Sequence, residues 1–170
     1  RASDSLSYVY RLDEKYWLMM LDSCMCEPVH ETGGKLSEET TAWMKMQLEE
    51  AKKQGVTVIP VSHHNLLDES TLYPEECTIE NTKEVTALLE AYGVPVYLSG
   101  HLHLQRIKKH TSNLNTPGGY GIREIVTSPL PMAPCQYSIL NWQADGSLSY
   151  HTKKVDIAGW AQRYGEEDEN

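Results

Sequence analysis

Phenylalanine is absent from the chain, and its aromatic content is carried by ten Tyr and four Trp. Positive charge is scarce, with 15 Lys and Arg against 24 Asp and Glu, for a net charge of −9. Four of those units lie in the run Glu166-Glu167-Asp168-Glu169. The basic residues cluster once, at Arg106, Lys108 and Lys109. That balance argues against a nucleic-acid-binding surface, which needs grouped Lys and Arg. No apolar run approaches the ~20 residues that cross a bilayer, and no signal peptide is visible. The sequence begins with Arg1, so the lack of a targeting signal assigns no cellular address. The four cysteines, at 24, 26, 77 and 135, include no C-x-x-C pair of the zinc-knuckle or redox kind. They read as buried or incidental thiols, with a disulfide left open.

What is present suits one domain: 170 residues, 40% of them hydrophobic, are enough for a core. Residues 6–12 alternate aromatic and polar, Asp13-Glu14-Lys15 supplies a turn, and 16–21 is unbroken apolar sequence, predicting a hairpin with a doubly buried second strand. Ser37 is placed to cap a helix whose first turn holds Glu38 and Glu39. Trp43, Met44, Leu48 and Ala51 form its apolar stripe, and Lys52, Lys53 and Gly55 mark its end. A strand over 56–61 follows at once. The pattern repeats with a helix over 80–92, Gly93, and a strand over 94–98, as in an α/β protein. Further strands are expected near 104–109, 122–127, 136–142 and 147–155, with Asp145-Gly146 turning the last pair. Pro60 cannot donate to a central ladder and is expected to mark a break toward His63.

Both helix-strand units deliver histidines. The first strand runs into Ser62-His63-His64-Asn65, the second into Gly100-His101-Leu102-His103. On an extended backbone the side chains at i and i+2 share a face, so His101 and His103 can address a common atom. Seven histidines make a chance H-x-H common, so the setting carries the weight. Loops at the carboxyl ends of strands are where α/β proteins place ligands. Imidazole suits zinc, manganese and iron alike, so the residue type does not select the metal.

A strand ending in Ser62-His63-His64, paired with a later one ending in Gly100-His101-Leu102-His103, resembles the calcineurin-like metallophosphoesterases. Gln47 and Leu48 in the preceding helix and the trailing strands around Asp145-Gly146 resemble that family too. The resemblance spans most of the chain and the second half of the family's domain. It implies an α/β fold: the C-terminal half of a four-layer αββα sandwich, with a mixed β-sheet and flanking helices, over 1–158, followed by an acidic tail over 159–170. It implies a metal-dependent phosphoester hydrolase, a phosphatase or phosphodiesterase, with two divalent ions (Mn, Fe or Zn). By the same resemblance His63 and His101 bind one metal and His103 the other, while His64 lies behind the ligands or near the substrate. The family usually has proline soon after the doublet; Asn65 and Leu66 stand here, and Asn65 is given no role.

The family's D-x-H, G-D-x-x-D and G-N-H-D/E motifs do not occur. Asp22 and Asp68 are the nearest carboxylates, and either could cap backbone N–H groups instead of binding metal. Two divalent cations held ~3.5–4 Å apart need anionic bridging ligands, since neutral imidazole does nothing to relieve their repulsion. Three histidines alone are therefore expected to hold at most one ion. The expected partners are a phosphoester substrate and an N-terminal half of the same domain, without which the chain is expected to be inactive.

Two rival readings stand beside this one: a single-metal hydrolase with a three-histidine site, and a non-catalytic interaction module that has lost its metals. The metallo-β-lactamase pattern is set aside because Leu104-Gln105 follows the H-x-H. Gly118-Gly119-Tyr120-Gly121 reads as a flexible turn, since no helix follows to present its N-terminus. His30, His110 and His151 are read as incidental, and the aromatics of the 8–17 hairpin as core.

Overall fold

The computed structural model describes residues 1–26, 31–67, 75–110 and 121–165. Two compact units divide the chain, Arg1–Thr127 and Ser128–Asn170.

The first unit is built on β1 (Tyr8–Arg11), β2 (Tyr16–Met20), α1 (Glu38–Gln54), β3 (Thr57–Val61), α2 (Thr82–Ala91), β4 (Val96–Ser99), β5 (Arg106–Lys109) and β6 (Arg123–Val126). One six-stranded sheet holds them in the order β1-β2-β3-β4-β6-β5. Neighbours from β2 to β6 are parallel, while β1 and β5 run antiparallel at the two edges. The expected mixed α/β sheet is therefore present.

Successive crossovers β2-α1-β3 and β3-α2-β4 move in one direction along the sheet. Connections of one hand then place both helices on one face. Trp17, Met19, Val58 and Tyr97 from the strands meet Trp43, Met44 and Leu48 of α1 and Val85 and Leu89 of α2 there. Each such side chain taken out of water contributes about 1.5–3 kcal/mol.

α1 begins where its cap residue predicts. Ser37 Oγ accepts from Thr40 N–H at 2.9 Å and donates to Asp4, which also accepts from the Thr40 hydroxyl. Those hydrogen bonds, that of Ser37 foremost, hold the Asp4 carboxyl below its ordinary pKa. Ser37→Ala is expected to cost ~1 kcal/mol, read as a lower urea midpoint at unchanged slope. Both helices hand over to their strands through a left-handed glycine, Gly55 at φ 69° and Gly93 at φ 70°. After α1, Gly55 N–H reaches Lys52 O and Val56 N–H reaches Ala51 O, which closes the last turn.

Pro60 stays inside β3, in register with Met19 of β2. Thr57 N–H points toward β2 and Ser62 N–H toward β4, so by alternation the missing donor of Pro60 falls on the β4 side. There the pairing reduces to Val61 with Leu98. The proline removes ladder from one side of the strand and does not break it.

The hairpin aromatics divide by face. Trp17 is core at 2% exposure, whereas Tyr8 and Tyr10 are 45% and 57% exposed. They pair across from Met20 and Leu18, on the face opposite the helices, and an edge strand gains cover from one neighbour only. All four cysteines are free; Cys24 and Cys26 are exposed and Cys77 and Cys135 half-buried, so of the buried or incidental thiols expected they are the incidental kind.

The second unit holds β7 (Gln136–Trp142), β8 (Leu148–Lys154) and α3 (Ile157–Tyr164). β7 and β8 pair along their whole length, from Gln136 with Lys154 to Trp142 with Leu148. Gly146 turns the hairpin at φ 82°, and Asp145 accepts from Ser147 N–H at 2.9 Å. α3 crosses the point where the sequence reading begins an acidic tail. Asp156 caps it by accepting from Gly159 N–H at 2.9 Å, and Ile157, Trp160 and Tyr164 stand exposed along it. The acidic run itself, His30, Asp68 and Gly118-Gly119-Tyr120 lie outside the described residues. Among the described residues no helix is long and apolar enough to cross a membrane.

Candidate functional site

β3 and β4 are parallel neighbours, so their carboxyl ends open at the same edge of the sheet. The two histidine loops leave side by side and are stitched by backbone: Ser62 N–H to Leu98 O at 3.1 Å, then Gly100 N–H to His63 O at 3.1 Å. Position in the chain separates His63 from His101 by 38 residues, and the sheet brings them into contact.

His101 Nδ1 lies 2.8 Å from His63 Nε2, with ring centroids 4.7 Å apart and planes at 76°. One ring donates its N–H and the other accepts. Burial, followed by the neighbouring imidazoles of His63, His64 and His103, lowers the His101 pKa. The neutral ring is the form that binds metal.

His64 completes a triangle of rings, with centroids 5.2 Å from His63 and 4.9 Å from His101. It is buried and both of its nitrogens are engaged. Thr32 O, 3.0 Å from Nε2, can only accept, which makes Nε2–H the donor and leaves Nδ1 to accept from Ser23 Oγ at 2.8 Å. Burial keeps its pKa low, consistent with that neutral tautomer. Gly34 packs against this ring so closely that a Cβ there would come within 2.4 Å of it. His64 thus ties Ser23, Thr32 and Gly34 to the loop, and the exposed ring of the group is His63.

His103 departs from the strand geometry expected of it. β4 ends at Ser99, and His101 and His103 take left-handed φ of 65° and 55°. Alternation on an extended backbone does not apply to such residues. His103 is exposed and stands outside the ring triangle, though near enough to influence His101. A non-glycine residue pays roughly 1–2 kcal/mol in this region, and such strain persists where the surroundings enforce it. His103→Gly is therefore expected to stabilise the fold by about 1 kcal/mol, measured as a higher urea midpoint.

Several residues that organise the loops escape a sequence reading. Glu124 of β6 is fully buried, and its carboxylate accepts from Leu66 N–H at 2.7 Å, Leu67 N–H at 2.6 Å and Ser99 Oγ at 2.6 Å. Asn65, also fully buried, donates through Nδ2 to Ser99 Oγ at 2.9 Å and to Gly100 O at 3.2 Å. Beneath them the Tyr97 hydroxyl donates to Ser62 Oγ at 2.7 Å, and Ser62 donates on to His64 O. Burial pushes the Tyr97 phenol far above its ordinary pKa. One signal was available for Glu124: a carboxylate set among the apolar residues Ile122, Ile125 and Val126.

The residues can be tested against a metal. Two imidazoles on one zinc at ~2.0–2.1 Å in a tetrahedral arrangement hold their nitrogens roughly 3.3 Å apart. The 2.8 Å contact of His63 and the half-buried His101 would have to open by about half an ångström, within reach of a small rotation of the exposed His63 ring. Carboxylates are where the fit fails. Both oxygens of Asp22 accept backbone N–H groups, from Leu6 at 3.2 Å and Cys24 at 3.3 Å. Among the described residues no three His, Cys, Asp or Glu side chains are arranged to hold a metal ion. By themselves these residues supply a pair of ligand nitrogens and do not fit a two-metal centre.

No family model matches the sequence, and no curated protein matches it. Among solved structures, a dimetal phosphatase from Danio rerio is similar, with a TM-score of 0.54 and 15% sequence identity. The likeness covers 72% of this chain and 48% of the other, so this chain spans about half of that protein's length. The fold is shared; at this identity the likeness extends no further.

Proposed function

We propose that this chain contributes the histidine-bearing part of a metal-dependent phosphoester hydrolase. The observation that carries the reading is the contact of His63 Nε2 with His101 Nδ1 at 2.8 Å, made by the ends of two adjacent parallel strands. The fold shared with a dimetal phosphatase supports it. So do the neutral state favoured at His101 and the backbone strain concentrated at His101 and His103. His63 and His101 are ligands of one divalent ion, Mn, Fe or Zn, and His103 of a second. His64 is bound on both nitrogens and acts as a prop for the loop.

The anionic ligands that a pair of cations requires are supplied by another polypeptide segment, the N-terminal half of the same domain. This chain's share is the imidazoles and the scaffold that aims them. The engagement of Asp22 with backbone favours one other reading, a non-catalytic module that keeps the fold without metals.

Calorimetric titration of the full chain with Mn or Zn, alone and with an added upstream segment bearing D-x-H and G-N-H motifs, separates the two. Two ions bound in the presence of that segment, with hydrolysis of a phosphoester such as p-nitrophenyl phosphate or its bis ester, supports the hydrolase. An absence of binding under both conditions overturns it and favours the module.

A further inference from the structure

We infer that Asn65, Ser99 and Glu124 are positioning residues that fix the distance and orientation of the His63–His101 pair. The inference rests on the reading of those two histidines as ligands. Its geometry, however, stands on the protein's own contacts.

His101 is aimed by the peptide unit that joins it to Gly100. The carbonyl of that peptide belongs to Gly100, and turning it changes φ at His101. Asn65 Nδ2 donates to this carbonyl at 3.2 Å, while the Gly100 N–H is held by His63 O at 3.1 Å. The Gly100 backbone is thus gripped on both sides by the His63 loop. A left-handed φ of 65° at a non-glycine residue needs such a grip; Leu102 N–H also donates to the Gly100 carbonyl at 2.8 Å, closing a tight turn about His101 that Asn65 holds from the neighbouring loop.

Asn65 is gripped in turn. Its other amide hydrogen goes to Ser99 Oγ at 2.9 Å, and Ser99 passes its own proton to Glu124 at 2.6 Å. The same carboxylate takes the N–H groups of Leu66 and Leu67, just after Asn65. One buried anion on β6 therefore anchors the His63 loop through the backbone and the end of β4 through a hydroxyl. β6 carries neither histidine, so the two loops are referred to a common third element.

The hydrogen-bond roles are determined. Gly100 O can only accept, so the atom facing it is the amide nitrogen and not the oxygen of Asn65. That leaves Asn65 Oδ1 buried without a partner among the described side-chain atoms. An asparagine chosen for packing alone would be an apolar residue, with no orphan acceptor to desolvate. What the position uses is the pair of donors directed at the two groups beside His101.

The test reads the histidine pair directly, in the full chain without metal. With 15N-histidine at pH 8, the wild type is expected to show scalar coupling across the hydrogen bond between His63 Nε2 and His101 Nδ1. Ser99→Ala removes the shared hydroxyl with almost no change in volume, and Asn65→Leu removes both donors. Each is expected to abolish the coupling while the amide spectrum of the helices stays in place. Ser99→Thr, which keeps the hydroxyl, is expected to retain it. Coupling that survives in Ser99→Ala or in a folded Asn65→Leu overturns the inference, as does its absence from the wild type. If Asn65→Leu does not fold, Ser99→Ala decides alone. Survival of the coupling would leave the ligand roles of His63 and His101 standing, because histidine replacement tests those separately.

Discussion

Glu124→Ala is expected to destabilise the Arg1–Thr127 unit by about 3–5 kcal/mol, a large share of a single domain's stability. The carboxylate is fully buried and accepts from the Ser99 hydroxyl and from the consecutive backbone N–H groups of Leu66 and Leu67. Its removal takes the acceptor from two backbone donors, at about 1–3 kcal/mol each, and leaves a void. Part of this is offset because a buried charge is no longer desolvated. Glu124→Gln separates the contributions: it keeps the volume, loses the charge and turns an N–H₂ toward a donor. A smaller loss, about 2–3 kcal/mol, is expected for it. Urea denaturation reads both; a loss under 1 kcal/mol for the alanine variant would show that the anchor is dispensable.

The second large effect concerns activity. With metal and the proposed upstream segment added, His101→Ala is expected to lower kcat/KM for a phosphoester by about 10³-fold or more, some 4 kcal/mol on the barrier. His101 sits at the centre of the ring cluster, in contact with His63 at 2.8 Å, and its loss removes one ligand while freeing the other. His64→Ala is expected to act differently. That ring is hydrogen-bonded to Ser23 and Thr32, so its loss should appear first as lowered thermal stability. Equal activity in wild type and His101→Ala would remove the ligand assignment.

Much of the fold was legible because local signals and tertiary packing agree. Ser37, Gly55 and Gly93 mark helix ends by cap chemistry and left-handed φ, which belong to single residues. The strand at Gln136–Trp142 has the bounds that its flanking turn residues predict. α3 was missed because its cap, Asp156, directly follows a strand, and the acidic residues beyond it read as one polar tail. Pro60 was misjudged because a single sequence does not say which side of a strand a missing N–H will face.

At the site, the sequence marked the histidines and left their geometry open. His63 and His101 meet because parallel neighbours share an edge, which the two helix-strand units imply. His103 was placed by an extended-backbone rule, whereas the chain after Ser99 turns left-handed at two non-glycine residues. Glu124, Ser99 and Asn65 act through contacts 25 to 58 residues apart in sequence, beyond the reach of periodicity. Asn65, given no role from the sequence, makes two side-chain hydrogen bonds, to Ser99 Oγ and Gly100 O.

His63 and His101 are proposed as two ligands of one divalent ion. Zinc titrated into the 15N-histidine-labelled full chain, with and without the complementary upstream segment, tests it most directly. His63 Nε2 and His101 Nδ1 are expected to shift together, with the proton between them lost as the first ion binds. Zinc bound while both nitrogens keep their metal-free shifts would contradict it.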